Sequence, residues 1–146
     1  MRKYLLCGLA AALFLSTSTP ACAHCEVPCG IYDDGARLTE ILEHATTIEK
    51  AMKEIVRLDK EDGGNKNQIV RWVTNKESHA SEAQHIVSQY FMTQRIKPGA
   101  EMYEKKLTVL HQMLQAAMKC KQTVDTKNAD ALKAAILEFH KAYEAK

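Results

Sequence analysis

Apolar residues recur every three or four positions along most of this chain. Leu38, Ile41, Leu42, Ala45, Ile48, Met52, Ile55 and Val56 trace one helical face, and Gly63-Gly64 ends that run. Ile69, Trp72, Ala80, Ala83, Ile86, Val87, Tyr90 and Phe91 form a second run, closed by Pro98-Gly99. Met102, Tyr103, Leu107, Leu110, Leu114, Ala117 and Met118 form a third. After a polar turn around Asp125 to Asn128, Leu132, Ala135, Ile136, Phe139 and Tyr143 form a fourth. No strand-like alternation competes with this period, and there is no internal repeat. Four helices joined by short connections predict an all-α fold, an antiparallel up-down four-helix bundle. The bundle is expected over residues 36–146, behind a short non-helical segment at 24–34 that carries Pro28 and Gly30.

The pattern changes near the start of the chain. Arg2 and Lys3 precede an apolar stretch, Tyr4 to Leu15, too short to span a bilayer. Small and polar residues follow, ending in Ala21-Cys22-Ala23, an A-x-A-like cleavage site. Residues 1–23 therefore read as an export signal that is removed, placing the mature protein in the periplasm or outside the cell. Lipidation at Cys22 is the rival processing. It is disfavoured by Thr19, where a lipidation box wants a branched apolar residue.

Processing alters the charge and cysteine counts. Arg2 and Lys3 are two of the twenty basic residues and the leader holds no acid. The mature chain therefore balances eighteen basic against eighteen acidic side chains. Such neutrality gives no basic surface for nucleic acid or an anionic membrane, so neither is an expected partner. Cys7 and Cys22 leave with the leader, and Cys25, Cys29 and Cys120 remain.

Cutting after Ala23 also creates chemistry. His24 becomes residue one, and its free α-amine becomes a metal donor. The amine and the Cys25 backbone nitrogen close one five-membered chelate ring; that nitrogen and the Cys25 sulfur close a second. The two rings share an edge and favour a planar arrangement. Pro28 and Gly30 flank Cys29 and allow a short turn to return its thiolate to the plane. The His24 imidazole is left for an axial position. Zinc prefers tetrahedral sites, whereas planar nitrogen-rich sites suit Cu(II) or Ni(II). Two thiolates draw copper towards Cu(I), which needs no deprotonated amide. Nickel(II) accepts a planar amide–thiolate field, and such donors stabilise Ni(III).

The stretch His24-Cys25-Glu26-Val27-Pro28-Cys29-Gly30-Ile31-Tyr32 resembles the nickel hook of the nickel-containing superoxide dismutases, H-C-x-x-P-C-G-x-Y. The helical remainder resembles that family's four-helix subunit, so the likeness covers residues 24–146. It implies conversion of two superoxide anions to dioxygen and hydrogen peroxide by Ni(III)/Ni(II) cycling, with one nickel ion per subunit. It also implies a homohexamer in which neighbouring subunits help to bury the hooks. By the resemblance, His24, Cys25 and Cys29 bind nickel. Tyr32 stands beside the open face, where it orders water or superoxide. Glu40 resembles the carboxylate that holds the axial imidazole, and Tyr90 resembles a second site tyrosine. Glu26 stands where aspartate is common, and Asp34 where proline also occurs.

Other readings start from the same residues. An exported helical bundle could bind nickel or copper for delivery without catalysis. Cys25 and Cys29 could form a disulfide staple. Glu82-Ala83-Gln84-His85 carries the Glu-x-x-His spacing of di-iron bundles, but no convincing second copy accompanies it. No C-x-x-C-H is present for covalent haem. Cys120, near the end of the third run, reads as a small buried hydrophobe. Charge runs such as Glu104-Lys105-Lys106 read as a solvated helix face.

Overall fold

The computed structural model describes residues 34–61 and 65–145. The leader, His24, Cys25, Cys29, Tyr32 and the Gly63-Gly64 break lie outside the described residues. Four helices make the bundle. Helix α1 spans Asp34–Asp59 and α2 spans Lys66–His85; a π-helical segment, Ile86–Arg95, prolongs α2. Helix α3 spans Tyr103–Gln122 and α4 spans Lys127–Glu144. Each of α1 and α3 packs against both α2 and α4, so the helices close a ring around one core. This is the expected all-α four-helix bundle.

Local chemistry sets the helix ends. Asn65 caps α2 by accepting a hydrogen bond from the Gln68 amide at 3.3 Å. Lys97 to Ala100 form a turn in which the Ala100 amide donates to the Lys97 carbonyl at 3.1 Å. Gly99 takes φ 80° there, the third turn position that favours glycine after proline. Met102, in the left-handed region at φ 55°, then starts α3. Between α3 and α4, Asp125 accepts the Lys127 amide at 3.1 Å through its side chain.

The core follows the sequence period closely in α1 and α4. Leu38, Ile41, Ala45, Ile48, Met52 and Ile55 are buried on α1, and Leu132, Ala135, Ile136 and Phe139 on α4. Two expectations need correction. Ile69 and Trp72, placed on the apolar face of the second run, are only half-buried, with the Lys50 ammonium over the Trp72 ring at 5.8 Å. On α3 the stripe is turned: Val109, Leu110, Met113, Ala117 and Cys120 are buried, whereas Met102 and Met118 are exposed. Apolar residues on α3 cover more than one face, so period alone did not say which edge faces inward. Cys120 is buried and unpaired, and burial pushes its thiol up to about 11.

The π-segment was read as ordinary helix. Its bonding runs five residues back: the Ile96 amide donates to the Phe91 carbonyl at 3.0 Å. The side chains of Thr93 and Gln94 likewise reach the Ser88 and Gln89 carbonyls. In an α-helix a residue five positions on is turned roughly 140° away. The wider i→i+5 winding brings it back towards the same face. Tyr90 and Arg95 are five apart, and they share one partner.

Candidate functional site

That partner is Asp34, the first residue of α1 and the second after Tyr32. Its carboxylate collects three side chains from two other elements. Arg95 of the π-segment donates through Nε to Oδ1 at 3.0 Å and through Nη2 to Oδ2 at 2.9 Å. Tyr143 of α4 donates its hydroxyl to Oδ2 at 2.7 Å. The buried Tyr90 donates its hydroxyl to Oδ1. A negative side chain in the first turn also suits the α1 dipole.

The electrostatics are mutual. Burial opposes ionisation of Asp34. The hydrogen bonds from Tyr90, Arg95 and Tyr143, with the Arg95 charge, outweigh it and hold the carboxyl below its usual range. Burial and the Asp34 charge push Tyr90 upward and Tyr143 up to about 12. Both phenols are therefore donors at neutral pH. Beneath them the rings of Phe91 and Phe139 meet edge-on at 5.0 Å, and Tyr143 meets Phe91 at 5.6 Å.

Glu40 lies on the second turn of α1, where the Arg37 guanidinium binds it through Nη1. The same guanidinium sits 5.7 Å from the Tyr90 ring centre, and that of Arg95 at 5.5 Å. Arg37 thus joins Glu40 to Tyr90, the two expected site residues that fall within the described part. The Tyr90 hydroxyl is committed to Asp34. His24, Cys25, Cys29 and Tyr32 lie outside the described residues, just ahead of this end of α1.

The model of one protein family, nickel-containing superoxide dismutase, matches residues 19–146. The chain belongs to the nickel-containing superoxide dismutase family. It is an oxidoreductase with a nickel cofactor, and superoxide is its substrate. No curated protein and no solved structure matches it significantly.

The matched span of this nickel superoxide dismutase takes in His24, Cys25, Cys29 and Tyr32 together with the whole bundle. Among the described residues, no three histidine, cysteine or acidic side chains converge on one point. The one described thiol, Cys120, is buried and protonated at neutral pH. The described bundle thus supplies no thiolate donor for nickel, while residues 24–33, directly ahead of Asp34 in the sequence, contain two cysteines and a histidine. That donor chemistry fits the metal.

Asp34, Arg37, Arg95 and Tyr143 were not foreseen at this end. In the sequence Asp34 stood out only as a position where proline also occurs. The Arg37–Glu40 spacing was visible, since residues three apart on a helix face one another. Arg95 and Tyr143 are 61 and 109 residues from Asp34, and no local spacing could have paired them.

Proposed function

We propose that this enzyme is exported, cut after Ala23, and binds nickel at the exposed start of the mature chain. The ligands are the His24 amine, the Cys25 amide nitrogen, the Cys25 and Cys29 thiolates and, in the oxidised state, the His24 imidazole. The observation that carries this reading is the family match through residues 19–146, which encloses His24 to Tyr32. Held by these residues, nickel would supply one-electron Ni(III)/Ni(II) chemistry. Two superoxide anions and two protons give one dioxygen and one hydrogen peroxide.

The protein's own groups then have defined tasks. Tyr32 orders water or superoxide at the open face, and nearby water or a cysteine thiol delivers protons. Glu40 orients the His24 imidazole. Thiolates beside peroxide are prone to oxidation, so the hook needs shielding. A homohexamer provides it in this reading, and the exposed Val70, Val73 and Leu137 are apolar positions available for subunit contacts. Light scattering on the nickel-loaded protein is expected to give six subunits.

The test is nickel-dependent superoxide consumption by the processed chain. Cys25→Ser or Cys29→Ser is expected to abolish nickel binding and consumption while circular dichroism keeps its helical signal. Nickel binding without superoxide consumption in the wild type would point to a delivery protein instead. Loss of the helical signal in these variants would favour the disulfide staple.

A further inference from the structure

About 15 Å along α1 from Asp34, at the 1.5 Å rise of a helix, a second polar contact crosses to α2. His44 Nδ1 lies 2.7 Å from His79 Nδ1. The ring centres are 5.0 Å apart and the planes are tilted by 58°. Both side chains are half-buried, so solvent reaches them. Two imidazole nitrogens this close can share a proton, with one ring donating and the other accepting. They can equally share a metal ion. Ligands at roughly 2.0–2.1 Å from one tetrahedral ion sit roughly 3.3 Å apart, so the pair needs to open by roughly 0.6 Å.

The surroundings favour that use. Burial, followed by the neighbouring His79, holds the His44 pKa below the usual histidine value, so His44 is neutral at pH 7. The carboxylates of Glu40 and Glu43 on α1 and Glu82 on α2 pull in the opposite direction, towards positive charge at this spot. A divalent cation held between the two imidazole nitrogens satisfies both tendencies. Among the described residues no third histidine, cysteine or acidic side chain closes the site. The described part of the protein therefore supplies two nitrogens, and in this proposal water takes the other positions.

We propose that His44 and His79 form a second metal site, separate from the N-terminal hook, for one late first-row divalent ion of the class that imidazole suits. The ion clamps α1 to α2 and exchanges with solution, because water completes its shell. The proposal does not depend on the hook chemistry.

Zinc is the probe. The processed full chain, with nickel already loaded, is titrated with Zn²⁺ by calorimetry at pH 7.5. One saturable equivalent is expected, with a higher melting midpoint when it is filled. His44→Gln and His79→Gln keep a neutral polar side chain, and each is expected to weaken binding roughly tenfold or more. Lowering the wild type to pH 5.5 is expected to release the ion, because protons compete for the same nitrogens. The equivalent is expected to persist in Cys25→Ser, which separates this site from the hook. No zinc uptake, or uptake unchanged in both glutamine variants, would overturn the proposal; in the second case other histidines hold the ion.

Discussion

The two ends of the bundle each draw a charged side chain into the packing, Asp34 partly and Lys76 fully, and they do so differently. At the end where α1 begins, Asp34 gathers Tyr90, Arg95 and Tyr143, all through side chains and from two other elements. At the opposite end, where α3 finishes, the buried Lys76 donates to the Cys120 and Lys121 carbonyls, each at 2.6 Å, and to the Glu77 carboxylate at 2.9 Å. Lys76 satisfies main-chain acceptors that a helix terminus leaves open, and it places a cation where the dipole wants one. It is a cap supplied by a neighbouring helix. Asp34 exists in this form only when α1, the π-segment and α4 are in place together, and it sits two residues from Tyr32. The Lys76 arrangement secures the end of one helix; the Asp34 arrangement ties the start of α1 to the π-segment and α4.

This contrast is most exposed to Asp34→Asn. The amide cannot accept the same set of charged and phenolic donors, so a loss of about 2–3 kcal/mol is expected in chemical denaturation. Superoxide consumption per nickel is expected to fall as well if, as proposed, nickel binds to the residues immediately before Asp34. Lys76→Met leaves two carbonyls without their donor and is expected to cost about 1–2 kcal/mol. Its activity per folded, nickel-loaded chain is expected to match the wild type. An activity loss equal to that of Asp34→Asn would remove the distinction between the two ends.

Acid sharpens the comparison. The folded-state pKa of Asp34 is depressed. Its contribution is therefore complete above the unfolded value of about 3.9 and disappears as pH falls through the lower folded value. Wild type and Asp34→Asn are expected to converge in stability below about pH 4, read by denaturant midpoints at several pH values. Glu49, held at about 2 by hydrogen bonds from Lys133 and Lys53, loses its own contribution in the same region. It does so in both proteins and cancels in the difference. The smallest effect is expected from Tyr143→Phe, which removes one of the three donors and costs about 1 kcal/mol, with little change in activity.

Much of the bundle was legible because one buried face repeats at the helical period. Leu38 to Ile55 and Leu132 to Phe139 needed nothing more. Pro98-Gly99 marked its own turn through the φ values those residues favour. The π-segment was not legible, since ten residues do not separate two similar helical periods. It is the winding that lets Tyr90 and Arg95 share Asp34. The inner face of α3 was obscured by its surplus of apolar residues, with Met118 taken as core although Val109 and Met113 fill that place. The likeness to the family rested on nine consecutive residues, His24 to Tyr32, which lie outside the described part. The cluster at the start of α1 was not legible, because Asp34, Arg95 and Tyr143 meet only after the chain has folded.

In the proposed mechanism the start of the mature chain is itself the nickel ligand set. Electron paramagnetic resonance on the as-isolated, nickel-loaded protein, with its N-terminus fixed by intact mass, tests this most directly. The account predicts a chain beginning at His24 and a low-spin Ni(III) signal with coupling to one axial nitrogen. Residues remaining ahead of His24 in an enzyme that still consumes superoxide with nickel would contradict it.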